Sequence, residues 1–122
     1  MAKRSVRVDK TEDKTGARIV RFTGDLTISR MDEMKTSLLA SLKEAERVEI
    51  DLSSVEEADL ACLQVLCSAH RTSKRLGRFF GLGDNASGAF KQAVRSAGYA
   101  RSGGCMFDTA DQCIWKEERY RE

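Results

Sequence analysis

Proline is absent from the 122 residues, which excludes Pro-rich linkers and X-Pro isomer switches. Histidine occurs once, as His70, so a cluster of histidines is excluded and a Cys-His pair is the one histidine-based constellation left to weigh. The four cysteines, Cys62, Cys67, Cys105 and Cys113, contain no Cys-x-x-Cys pair. Nor does any apolar run approach the ~18–20 residues of a membrane span, so direct membrane insertion is not expected. The stretch Met1 to Arg7 is charged and has no apolar segment behind it; a secretory signal is not expected. The cytoplasm, where thiols stay reduced, is then the expected compartment. Neither sign of charge dominates: 21 Lys and Arg face 19 Asp and Glu, for a net +2. That balance gives no reason to expect nucleic acid or a membrane surface as partner. Internal repeats and low-complexity segments are also missing.

Apolar residues make up 41% and charged residues 33%. The apolar share is too high for a disordered chain. The length suits one domain, and residues 1–122 are expected to form it. A chain of this size can build a core without disulfides or metals.

Val6 and Val8 alternate with Arg7 and Asp9, which predicts a short strand. Lys10 to Gly16 is polar and reads as a hairpin turn. Ile19, Val20 and Phe22 predict a second strand, broken at Gly24-Asp25. Ser29 is a good N-cap with Asp32 behind it, and Met31, Met34, Leu38, Leu39 and Leu42 follow at helical spacing to about Ala45. Arg47 to Ser53 alternates in period two, with Val48, Ile50 and Leu52 on one face. Val55 to Ala58 reads as a connection and Asp59 as the N-cap of a second helix. Leu60, Leu63, Val65, Leu66, Ala69 and Leu76 form that helix's apolar face, and Gly77 lies at its C′ position. Arg78 to Gly83 predicts a buried strand. Asp84-Asn85 caps a third helix over Ala86 to Ala97, ended by Gly98. A short final helix is expected within Met106 to Tyr120. Strands joined through helices favour parallel pairing. The fold class is therefore α/β: a small mixed sheet with an N-terminal antiparallel hairpin and helices packed against it.

Chemistry-bearing groups are sparse. Cys67 and His70 are three residues apart and share a helix face, yet His70 stands amid Arg71, Lys74 and Arg75 and reads as a partly exposed polar position. Cys62 and Cys67 lack the short paired spacing of zinc ligands and read as small core hydrophobes. Gly81-Leu82-Gly83 precedes a helix as dinucleotide-binding glycines do, but Gly88 follows after four residues where that fingerprint needs two. A capped strand-to-helix turn is expected instead. Arg71, Lys74, Arg75 and Arg78 form a positive edge that reads as a solvated helix face. Asp25, Asp51 and Asp59 are scattered over separate strand ends. No catalytic residue, no metal site and no cofactor is assigned.

The segment Val48 to Leu66 resembles the STAS domain (sulphate transporter and anti-sigma factor antagonist). In that family an apolar strand ends in Asp-Leu-Ser, and an Asp-Ser-Ser/Ala-Gly-Leu motif opens the next helix. Asp51-Leu52-Ser53 and Asp59 match these positions, and Phe22 to Leu26 is similar to the family's opening signature. Gly77 and Gly98 also stand where the family has glycines. The resemblance covers about residues 17–100, with a C-terminal helix or tail over about 106–122 that includes Trp115 and Tyr120. It implies a cytoplasmic, bacterial protein-interaction module in transcription signalling. Its phosphoacceptor Ser corresponds to Leu60, followed by Ala61 and Cys62, so no phosphoacceptor is assigned. The docking surface that the resemblance implies is Ser54, Glu56, Glu57, Asp59, Leu60 and Ala61. The partner it implies is an anti-sigma factor of serine-kinase type. The alternative is the ATPase of an ABC-type lipid transporter, served by the chain as accessory subunit. A thiol- or nucleotide-dependent enzyme or sensor is the alternative from another class. A homodimer is also expected.

Overall fold

Alternating burial along one strand sets the centre of the molecule. The computed structural model describes residues 7–12, 16–99, 114, 115 and 120. The strands are β1 (Arg7–Glu12), β2 (Arg18–Leu26), β3 (Arg47–Ala58) and β4 (Phe79–Leu82), and they lie in that order in one sheet. β1 and β2 pair antiparallel, with Lys10 opposite Val20. The other pairings are parallel, with Val20 opposite Ile50 and Ile50 opposite Leu82. The helices are α1 (Met31–Glu44), preceded by a 3-10 turn at Ile28–Arg30, α2 (Leu60–Leu76) and α3 (Gly88–Ser96). This is the expected mixed sheet with an N-terminal antiparallel hairpin and packed helices.

Several boundaries differ from the sequence expectation, each for a physical reason. β1 runs on to Glu12, so the first half of the expected turn is strand. β2 passes through Gly24-Asp25 and ends at Leu26. Gly24 takes φ +100, which a residue without Cβ adopts readily, so the strand shifts register there and continues. β3 continues five residues past Ser53. Between the pairs Arg21–Asp51 and Thr23–Ser54, and again between Gly24–Val55 and Asp25–Glu57, β3 carries one residue more than β2. The first of these bulges puts Val55 on the buried face three residues after Leu52 and so breaks the period of two.

α1 starts after Arg30, with no side-chain cap, and Ser29 lies inside the 3-10 turn. The cap of α3 is Ser87, whose Oγ accepts from Phe90 N at 3.1 Å, while Asp84 and Asn85 form the preceding turn. α2 keeps both expected ends. Gly77 takes φ +68, and Arg78 N reaches back to Ser73 O at 2.8 Å, the six-to-one bond of a Schellman end.

One cluster gathers Val20, Phe22, Ile50, Leu63, Leu66 and Phe90 into the core. Trp115 and Tyr120 are buried in the same cluster, with Tyr99 edge-on to Trp115 at 5.2 Å and Phe90 6.3 Å from Tyr120. The rest of the expected final helix lies outside the described residues. His70 corrects an expectation: it is buried, with its ring stacked 6.0 Å from Phe80. It falls on the stripe Leu63, Leu66, His70, Ser73, which faces inward at helical spacing. Leu60 and Leu76, expected on the apolar face, are about half exposed, at 50% and 48%.

Candidate functional site

Asp59 joins two elements at the end of the sheet. β2 and β3 finish side by side, with Leu26 opposite Ala58. Asp59 N donates to Leu26 O at 3.4 Å. Its Oδ1 accepts from Cys62 N at 3.2 Å, capping α2, and its Oδ2 accepts from Ile28 N at 3.0 Å. One carboxylate therefore fixes the start of α2 against the turn that leads into α1. On α2 the next residue is Leu60, and across the carboxylate stands Ile28, 75% exposed. Two large apolar side chains thus reach solvent from either flank of a rigid clamp. Exposed apolar groups held together in this way mark interaction surfaces more often than scattered ones do.

Of the residues expected to dock, Glu56 and Glu57 are exposed, Asp59 and Ala61 half-buried, and Leu60 half-exposed. Ser54 is half-buried within β3 opposite Thr23. Ile28 was not among them. In the sequence it stands one helical step before Met31, Met34 and Leu38 and reads as part of their apolar row. Its proximity to Leu60 depends on the parallel pairing of β2 with β3, which no local pattern encodes.

Elsewhere the chemistry is quiet. Burial, and then the neighbouring Asp59 carboxylate, push the Cys62 thiol well above its ordinary value, so it stays protonated and a poor nucleophile. Cys67 is half-buried, while Cys105 and Cys113 lie outside the described residues. The glycine-containing turn before α3 spends its backbone donors on β3: Gly83 N reaches Ile50 O at 2.8 Å and Ser87 N reaches Leu52 O at 3.1 Å. Those groups cannot also cradle a phosphate. Among the described residues, no group of three or more His, Cys, Asp or Glu could hold a metal ion. No helix among them is long and apolar enough to cross a membrane.

On the polar face of β3, Asp51 accepts from Ser53 Oγ at 2.6 Å, from Ser53 N at 2.9 Å and from Arg21 Nε at 3.0 Å. Burial works to raise its pKa, but the Ser53 and Arg21 contacts outweigh it and hold the carboxyl below the usual range. The Asp-Leu-Ser strand segment is therefore a local lock on β3 at its first bulge.

Known structures share this fold. An anti-sigma factor antagonist STAS domain from Rhodobacter sphaeroides is 26% identical, with a TM-score of 0.55 over 64% of this chain and 85% of that one. An anti-sigma factor antagonist from Mycobacterium paratuberculosis is 18% identical, with a TM-score of 0.65 over 77% and 79%. The anti-sigma factor antagonist SpoIIAA in its unphosphorylated form, at 8% identity, has a TM-score of 0.52 over 62% and 71%. No curated protein matches the sequence. The family model described as "Mlab, STAS domain" matches residues 10–106, a span that includes the whole Asp59 clamp and both strands that carry it. The chain belongs to that family of STAS domains.

Proposed function

We propose that this chain is a non-enzymatic docking module of the cytoplasm. Its contact face is Ser54, Glu56, Glu57, Asp59, Leu60 and Ala61, enlarged by Ile28. The partner is an anti-sigma factor of serine-kinase type, which the chain binds as an antagonist-like regulator. The observation that carries this reading is the pair of exposed apolar side chains, Ile28 and Leu60, fixed on either side of Asp59. Apolar anchors ringed by polar groups are what protein interfaces use for most of their affinity. The likeness to anti-sigma factor antagonists supports the partner class.

Phosphate control works through about two negative charges and new acceptor oxygens on a hydroxyl. Leu60, at the position of the family's acceptor Ser, has no hydroxyl. Contact through it is therefore constitutive, and the partner kinase does not release it. This same feature favours a second reading, an accessory subunit bound to the ATPase of an ABC-type lipid transporter. A permanent complex needs no charge-based release and tolerates an apolar contact.

The test is an affinity capture from native extract with wild type and Leu60→Asp. Truncating or charging an interface anchor costs about 2 kcal/mol or more, roughly 30-fold in affinity. Recovery of a kinase-fold anti-sigma protein, lost in the variant, supports the first reading. Recovery of a transporter ATPase, lost likewise, supports the second. Equal recovery with a folded variant overturns the docking face, and stoichiometric phosphate labelling within residues 51–66 overturns constitutive contact.

A further inference from the structure

α2 has two working faces, and the proposed docking contact uses only its first turn. Leu63, Leu66, His70 and Ser73 face the core. The outward face forms, with α1, an open groove of about 210 Å³. Leu38 and Ala69 are its buried floor, and Leu39, Ala61 and Val65 its half-buried walls. Lys35 and Gln64 stand exposed at the rim. The volume is below the ~300–1,000 Å³ of small-molecule sites and suits one or two apolar side chains. Ser68 ends the groove and also lines the adjoining recess formed by Arg71, Thr72, Lys74 and Arg75.

Charge along this strip is polarised. α2 holds no Asp or Glu, and three cations stand in its last six residues. At the opposite end lie Glu56, Glu57 and Asp59, beside Leu60. A partner lying along the strip meets acid first, then an apolar groove, then base. A nucleic acid strand is disfavoured by the acidic end.

We propose that the α1–α2 groove receives an amphipathic helix of the protein partner, with apolar side chains in the groove and acidic side chains over Arg71, Lys74 and Arg75. A groove between two helices accepts anchors spaced i, i+3 or i+4, i+7 on one helix face. Ala61 to Arg75 spans about 21 Å at ~1.5 Å per residue, or four turns of such a helix. The basic end favours acidic residues there and fixes which way the helix runs. The inference rests on the docking reading above, since it continues the same contact from Leu60 along α2.

The probe is a stapled helical peptide of about 18 residues, roughly five turns, with Leu at i and i+4 and three Glu at one end. Its control carries Lys in place of Glu. Both are titrated into the isotope-labelled full chain and followed by amide chemical shifts. The Glu peptide is expected to bind at least about tenfold more tightly, with shifts at Leu39, Ala61 and Val65. Val65→Glu should abolish that binding. The exposed double variant Arg71→Glu/Arg75→Glu, which leaves the core untouched, should reverse the preference. Equal affinity for both peptides, shifts outside the groove, or an unchanged preference in the double variant would overturn the proposal. Concentration-dependent shifts at these residues in the chain alone would also overturn it, by placing a second copy there. Failure of the peptides while Leu60→Asp still abolishes partner capture rejects the groove and leaves the docking face standing. Intact capture by Leu60→Asp rejects the docking face and this inference with it.

Discussion

α1 and α2 begin at the same end of the sheet, and begin differently. α2 opens on its own cap, Asp59, three residues before the amide it satisfies. α1 opens through a 3-10 turn with Arg30 at the cap position and no side-chain cap. What anchors the turn is again Asp59, through Ile28 N. A single carboxylate thus orders both helix starts, and the exposed Ile28 and Leu60 keep a fixed relation because of it. A cap read from sequence as local can be the hinge-pin of a site assembled from distant segments.

The contrast can be broken most strongly at Asp59. Asp59→Ala removes the α2 cap, worth about 1 kcal/mol, and the bond to Ile28, worth about another. A loss of about 2 kcal/mol is expected in urea unfolding, together with weaker partner capture. Asp59→Asn has one acceptor oxygen, so it should keep one of the two bonds and lose about half as much.

A smaller effect is expected at Asp51, a lock within one strand. In its pair with Arg21 the guanidinium is 52% exposed and the carboxylate 22%, so solvent screens the pair and Asp51→Asn should cost less than about 1 kcal/mol at pH 7. The folded-state pKa is depressed. Its stabilisation is therefore present above the unfolded value near ~3.9 and is lost as pH falls through the folded value. Unfolding curves of wild type and variant should converge as the pH is taken below about 4. The smallest effect sharpens the comparison: Ser29→Ala should change stability by no more than about 0.5 kcal/mol, because Ser29 caps nothing. A loss near 1 kcal/mol would show that α1 has a local cap after all.

How far the chain was legible depends on how local each cause is. Asp59 and Gly77 act within a few residues of α2, and both ends of that helix follow from sequence. Ser87 acts equally locally, but Asp84 and Asn85 are as good at capping, and only the path of the chain over β3 selects among them. The end of β3 is hidden in the sequence because its first bulge shifts the apolar phase from Leu52 to Val55, and a pattern with one inserted residue no longer looks like a strand. For His70, the charged neighbours Arg71, Lys74 and Arg75 predict solvent exposure from sequence. Its position on the inward stripe, together with Phe80 from the next strand, buries it instead.

The proposed docking face divides in the same way. Leu60 enters it from the sequence, because it follows the cap and stands where the family resemblance puts a hydroxyl. Ile28 enters it only from the structure, because it is 31 residues from Asp59 along the chain.

The sequence alone determined the element order, the hairpin and the α2 cap. Each of these follows from residue type and short-range spacing. The tertiary structure decided the bulged pairing of β2 with β3, the joining of Ile28 to Leu60 across Asp59, and the groove between α1 and α2. Those need segments far apart in the chain to meet, and what brings them together is burial of a shared apolar face on the sheet.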